Sequence, residues 1–487
     1  MNKIMNRLAL VILTGLAGSA VTLTACAQPA AAIFSFAASG TNGANPVANL
    51  TLGPDGNLYG TTQYGGSGNT NLNANLGAGT VFQLTPSGAL KTLVNFTGTN
   101  GANPRAGLTL GPDGSFYSTT EFGGASFGNT NFNAGMGGGT VFRVTTNGTL
   151  TTLANFNRTN GASVQSGLTW GPDGNLYGTT SSGGLGSDGT VFQVTTNGAL
   201  TILTNFMGGN GASPLASLTL GPDGNFYGTT QSGGSANYGT VFQVTSSGAL
   251  TTLVSFNGTN NGLSPQTSLA LGPDGNLYGT TSSSYLLPYT VFPGFTINIP
   301  SGNGTIFQIT TNGTFTNLDD LDNYSVGTYP NGSLALGPDG NFYGTTYSGG
   351  GNGFGTLFRV TTNGTLTALL NFNNTNGAYS VSGVAFGPNN LIYGTASGGG
   401  AGGNGTVFEI GLSPLAIALS ATSGTNYTVL AESYPNSTNR IWATTNLALP
   451  SSWQVLGTIA TDVNGVGQLL DTNATDIPAK YYRLSNP

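Results

Sequence analysis

The stretch GPDGNLYGTT occupies Gly53–Thr62 and recurs letter for letter at Gly171–Thr180 and Gly272–Thr281. Near copies are GPDGSFYSTT from Gly111, GPDGNFYGTT from Gly221 and Gly337, and a worn GPNNLIYGTA from Gly387. Seven copies starting at residues 53, 111, 171, 221, 272, 337 and 387 define a unit of about 50 residues, lengthened in some copies. In the fourth copy Pro222 presets one φ, Asp223 can bond the turn backbone and Gly224 tolerates positive φ, so the phrase reads as a tight turn between two strands. Alternation of apolar and polar residues around it predicts four strands, Ala216 to Leu220, Asn225 to Thr230, Gly239 to Thr245 and Ala249 to Phe256.

One four-stranded sheet of this length has apolar residues on both faces and must stack on its neighbours. Four strands per unit, repeated seven times, predict an all-β fold: a seven-bladed β-propeller over residues 32–411. The seventh copy lacks a fourth strand, because Leu412-Ser413-Pro414 follows its third. Ile33 to Phe36, followed by GTNGANP from Gly40, matches the end of a repeat, as in Val94-Asn95-Phe96 followed by the same phrase from Gly98. This N-terminal segment is expected to close the ring as the missing strand. Residues 412–487 carry Trp442 and Trp453, read as six short strands, and predict a small C-terminal β-sandwich-like domain.

Composition narrows the function. Gly is 81 of 487 residues, only 5% are charged, and no Gly-X-Y period is present, so neither an ordinary cytosolic enzyme nor a collagen fits. Lys3, Arg7 and the apolar stretch from Leu8 to Ala25 read as an export signal over residues 1–27. Its loss takes the net charge from −6 to −8, which leaves no electrostatic source for nucleic-acid binding. The single cysteine, Cys26, sits at the cleavage region and admits two readings. Leu23-Thr24-Ala25-Cys26 resembles a lipoprotein signal, with Cys26 as the lipidated residue; Ala25-Cys26-Ala27 fits ordinary secretion. The expected location is outside the cytoplasm of a bacterium, secreted or lipid-anchored at the surface, with membrane contact only through that lipid.

The unit with GPDGNLYGTT, the GG-x4-GTVFQVT segment and the NFxxTNGA segment resembles the bacterial GloVer-type tandem repeat of choice-of-anchor proteins, over about Ile33 to Ile410. The resemblance implies a secreted or cell-surface protein and supplies no catalytic residues. Ala443-Thr-Thr-Asn-Leu, Ser452-Trp453 and Tyr481-Tyr482-Arg483-Leu484 are similar to a C-terminal β module of exported bacterial proteins.

The chain contains no His, which removes imidazole acid/base chemistry and His-metal sites. Six of 16 acidic residues are the Asp of the GPDG turns, read as turn formers at solvent. Asp319, Asp320, Asp322 and Asn323 form the one acidic cluster, a candidate for a hard cation such as calcium, otherwise an acidic loop. The repeated Tyr of the second strand, Tyr59 and its six counterparts, reads as packing between blades. The Gly-Gly pairs read as loop glycines rather than anion nests.

In a propeller the blade-to-blade loops and the second-to-third-strand loops share one face, and insertions fall there in copies one, two and five. The fifth-copy insertion offers Tyr285, Tyr289, Phe292 and Phe295 as exposed aromatic ligand contacts. The expected function is a non-catalytic extracellular binding scaffold for a glycan or protein, with no cofactor required. The alternatives are a propeller enzyme using calcium, a lactonase-like hydrolase or polysaccharide lyase, and a self-associating surface-coat protein.

Overall fold

A computed structural model describes residues 11–14, 31–37, 40–67, 77–128, 135–258, 261–292, 295–321, 323–388, 391–411, 416–423, 426–432, 438–444, 454–460, 466–471 and 479–485. In the first six copies the Gly-Pro-Asp-Gly segment turns the chain: in the first, Gly56 N–H donates to the Gly53 carbonyl at 3.0 Å, and Gly56 adopts φ +76°. The fourth blade is an antiparallel meander of Thr219–Leu220, Phe226–Thr230, Thr240–Val244 and Leu250–Ser255. Its first strand is shorter than the sequence predicts. The Ala216 carbonyl accepts a hydrogen bond from Thr179 of the preceding blade instead of joining the ladder.

Seven such sheets form the propeller, which spans residues 30–386 and 392–409 as one unit. In the seventh blade Val384–Phe386, Leu391–Ala396 and Thr406–Gly411 are joined by Ala31–Ser35 from the start of the chain. The register pairs Ala31 with Glu409 and Ser35 with Thr406, with a bulge between Ala32 and Phe34. The strand therefore begins two residues before Ile33, and Phe36 continues the pairing through its N–H to the Gly405 carbonyl at 3.0 Å.

The core lies between blades. Tyr59, Val81, Val94 and Phe96 of the first blade pack with Leu108, Phe116, Phe142 and Val144 of the second. The later blades repeat this arrangement. The repeated Tyr is the bridging ring: Tyr59 lies 4.2 Å from Phe116, Tyr177 4.1 Å from Phe226 and Tyr278 4.2 Å from Phe342. The glycine after it makes room for an aromatic of its own blade, since a Cβ on Gly60 would sit 2.6 Å from the Phe82 ring.

The two threonines that end the repeated phrase have separate jobs. The first is buried and donates to a carbonyl at the entry of the next blade. Thr61, Thr119, Thr179, Thr229, Thr280 and Thr345 reach Ala106, Ser166, Ala216, Thr267, Pro330 and Ser382, and Thr395 of the last blade reaches Ala48 of the first. These seven bonds span 2.6–3.2 Å and run once around the ring. The second threonine pairs hydroxyl to hydroxyl with the Thr opening the third strand, as Thr62 with Thr80 at 2.8 Å. In the worn seventh copy Ala396 stands at that place, and Thr406 donates to the Asn376 carbonyl instead.

The second unit comprises residues 1–29, 387–391 and 410–487. It contains the six expected C-terminal strands. Ala416–Ser423, Asn426–Glu432 and Val466–Asp471 form one sheet; Thr438–Thr444, Gln454–Ala460 and Ala479–Ser485 form another, extended by Val11–Thr14 from the segment read as export signal. Gly457 of the second sheet abuts the side chain of Leu469 in the first. Among the described residues no helix is long and apolar enough to cross a membrane.

Candidate ligand-binding face

Antiparallel pairing puts the GPDG turns on one face of the propeller, and the second-to-third and blade-to-blade loops on the other. On the turn face the carboxylates are engaged. Asp223 Oδ2 accepts from the Tyr227 hydroxyl at 2.8 Å, Asn225 Nδ2 at 2.8 Å and Gln243 Nε2 at 3.0 Å, while its Oδ1 accepts from the Asn225 N–H at 3.1 Å. The same Asp–Tyr–Gln set recurs around Asp55, Asp173 and Asp274. In the second blade Arg143 replaces the glutamine and lies 2.7 Å from Asp113. Burial pushes Asp223 up, and the hydrogen bonds from Tyr227 and Asn225 outweigh it, so the carboxyl ends below its ordinary value. Burial, then the Asp223 bond, drives Tyr227 up to about 12. These Asp are turn formers, as expected, and also anchors for a buried phenol.

On the opposite face the loops are braced by their own asparagines. The Asn ending a fourth strand accepts from a backbone N–H in the loop between the second and third strands: Asn95 from Ser67, Asn155 from Ala125, Asn205 from Leu185 and Asn371 from Gly351, at 2.7–2.9 Å. The Gly-Gly pairs belong to the same brace. Gly66 N–H donates to the Gly40 carbonyl, and a Cβ on Gly65, at φ +78°, would meet that oxygen at 2.4 Å. With that N–H spent, the pair is a loop brace, as the sequence suggests.

Near the axis, the residues leading into the inner strands are Asn49, Gly107, Gly167, Ser217, Ser268, Ser333 and Gly383. Neighbours in this ring bond directly: Gly167 N–H to Ser217 Oγ at 2.8 Å, Ser268 N–H to Ser333 Oγ at 3.1 Å and Gly383 N–H to Asn49 Oδ1 at 2.5 Å. None of the seven is ionisable.

Two residues before this ring the blades carry Val47, Arg105, Gln165, Leu215, Gln266, Asn331 and Val381, and just after the paired threonines they carry Gln63, Glu121, Ser181, Gln231, Ser282, Tyr347 and Ser397. Each set contains one charge, and the two charges meet. Glu121, only 7% exposed, lies 3.7 Å from Arg105 and accepts from Gln165 Nε2 of the next blade at 2.9 Å. Burial pushes Glu121 above the ordinary carboxylate range, with Arg105 and Gln165 pulling the other way. A buried carboxylate of raised pKa on the loop face is the arrangement that acid/base chemistry uses. Sequence reading passed over this pair. Aligning the copies and asking where one departs in charge would have found it.

The sequence-derived candidates are placed as follows. Tyr285–Phe292 and Phe295–Ser301 form an antiparallel hairpin on the loop face, with Tyr285 exposed. The side chains of Tyr289, Phe292 and Phe295 lie outside the described residues. Asp319 ends the fourth strand of the fifth blade; exposed Asp320 accepts from Asn317 Nδ2 at 2.7 Å; Asn323 Oδ1 accepts from the Ser325 N–H at 3.1 Å. Asp322 and Cys26 lie outside the described residues. Among the described residues no three Asp, Glu, Cys or His side chains converge as a metal site.

Fold and repeat together define the class, a seven-bladed propeller built from one repeated unit. The chain belongs to the Gloeobacter/Verrucomicrobia repeat family, whose sequence pattern matches residues 123–286 and 292–452. No curated protein matches it. Among solved structures it is similar to a streptogramin B lyase, at 15% identity, covering 82% of this chain and 97% of that one, with a TM-score of 0.49. It is also similar to virginiamycin B lyase from Staphylococcus aureus, at 16% identity, 83% and 100% coverage and a TM-score of 0.49. A periplasmic gluconolactonase from Pseudomonas aeruginosa gives 16% identity, 88% and 97% coverage and a TM-score of 0.42. These likenesses carry no argument about function.

Proposed function

We propose that the protein is a non-catalytic binding scaffold that works outside the bacterial cytoplasm and presents its loop face to a glycan or protein. The observation that carries this reading is where the repeated polar side chains point. The GPDG carboxylates, the paired threonines and the strand-end asparagines bond to the protein itself, and this bracing makes the propeller a stiff platform for ligand contacts. The apolar stretch from Leu8 to Ala25 supports export, and Cys26 supports lipid anchoring as one of its two forms.

A second reading, a lyase or hydrolase, is favoured by Glu121 beside Arg105. One experiment separates the two. Wild type and Glu121→Gln are incubated with lactones and uronate-containing polysaccharides, and product is measured. The scaffold reading expects no product from either. Turnover in wild type that disappears in Glu121→Gln refutes it and assigns Glu121 as general acid or base. The variant keeps the fold, because a glutamine oxygen still accepts from Gln165 and Arg105 stays 39% exposed to water.

A further inference from the structure

At one matched position each blade-to-blade loop holds a non-glycine residue in the left-handed region: Asn45, Asn103, Ser163, Ser213, Ser264, Tyr329 and Tyr379, with φ between 54° and 58°. The framework imposes this backbone. In all seven the N–H donates to a carbonyl in the preceding blade's second-to-third loop, at 2.7–3.0 Å. Asn tolerates that conformation, whereas a bulky aromatic there is an outlier that costs stability. Both rings remain open to water, Tyr329 at 41% and Tyr379 at 37% exposure.

These two tyrosines are neighbours of others. Tyr347, 40% exposed, stands where other blades have Gln, Glu or Ser; its ring lies 5.1 Å from Tyr379 at 32°, and its N–H donates to the Tyr329 carbonyl at 2.9 Å. Phe354 meets Tyr379 edge-on at 5.8 Å, and exposed Tyr324 belongs to the loop of Tyr329. Two residues beyond Tyr329, the Asn331 Oδ1 is buried and lacks a hydrogen-bond partner. The segments 323–331, 347–354 and 374–380 contain no charged residue.

We propose that Tyr329, Tyr347 and Tyr379, with Tyr324, form a stacking platform for a neutral oligosaccharide. Tyrosine offers a flat apolar ring and a hydroxyl at low entropic cost, which suits the apolar faces and hydroxyl rim of a sugar. With no cation in these loops and a net charge of −6, an anionic polymer finds no partner here. Strained tyrosines where five sibling loops use Asn or Ser are retained for what their rings touch.

The inference deepens the scaffold reading and rests on it. The test probes the full exported chain on an array of immobilised neutral and acidic oligosaccharides, then titrates the best neutral binder by calorimetry against wild type and Tyr329→Asn/Tyr379→Asn. The expected result is selection of neutral sugars, with affinity about tenfold or more weaker in the double variant. Its melting temperature is unchanged or higher, because Asn fits the left-handed seat; a purely structural role for the tyrosines would lower it. Selection of acidic sugars alone, binding to no sugar on the array, or unchanged affinity in the double variant overturns the platform. Sugar binding retained by that variant without turnover removes the platform and keeps the scaffold, whereas turnover lost in Glu121→Gln removes the scaffold itself.

Discussion

Replacing Asp223 by Ala tests whether the repeated turn anchors the blade. The carboxylate accepts four hydrogen bonds, and only the one from the Tyr227 hydroxyl comes from a fully buried side chain. The three from Asn225 and Gln243 face water and are worth about 0–0.5 kcal/mol each after screening. Without Asp223 the phenol still accepts from Gln243 Nε2 at 2.6 Å, and its own proton loses the carboxylate and is left with the neighbouring Thr311 hydroxyl as a weaker acceptor. An unsatisfied buried donor costs about 1–3 kcal/mol, and partial rescue by Thr311 puts the expected loss at about 1–2 kcal/mol in all. Denaturant unfolding of Asp223→Ala, Tyr227→Phe and the double variant measures it, and hydrogen exchange at Phe226–Thr230 localises it. Removing the hydroxyl removes the orphan, so the double variant should lose less than the two singles together, by about 1 kcal/mol. A loss below about 0.5 kcal/mol in Asp223→Ala, or additivity within that margin, would refute the anchoring argument.

Two further outcomes follow from the same architecture. Tyr59, Tyr177, Tyr227 and Tyr278 are driven up to about 12 by burial and by their Asp partners, so each favours the neutral form in the fold. That contribution is complete below pH ~10 and is lost as pH rises towards 12; Asp55, Asp173, Asp223 and Asp274, net lowered, contribute above pH ~4 and fade in acid. Denaturation midpoints against pH, with tyrosinate absorbance, should show both edges, and a flat profile above pH ~10 would contradict the first. Phe36→Ala should cost about 3–5 kcal/mol, because that ring is fully buried with Phe34 at 5.1 Å and Phe82 at 5.5 Å. A cost near that of an exposed substitution would mean the closing strand does not hold the ring.

Much of the fold was legible because its causes are local. Pro222, Asp223 and Gly224 specify a turn from backbone preferences alone, and the largely apolar run Thr240–Val244 marks a strand buried on both faces. The closing strand was legible for another reason: the text after Ile33 to Phe36 copies the text after Val94 to Phe96. The site was less legible. Glu121, Arg105 and Gln165 come from three separate segments, and only stacking the second blade on the third brings them together. The emphasis on Tyr285 overlooked Tyr329 and Tyr379, since a letter does not display its φ.

The sequence by itself determined seven blades, their order and the closure of the ring, because turn chemistry and period-2 alternation act over a few residues and repeat. Only the tertiary structure decided what each repeated letter does. It made the first threonine a circumferential tie, the Asp an anchor for a buried phenol and the Asn a loop brace. It also decided which departures from the repeat meet in space. Those roles depend on contacts between blades, which exist once the sheet faces are buried against each other around a closed ring.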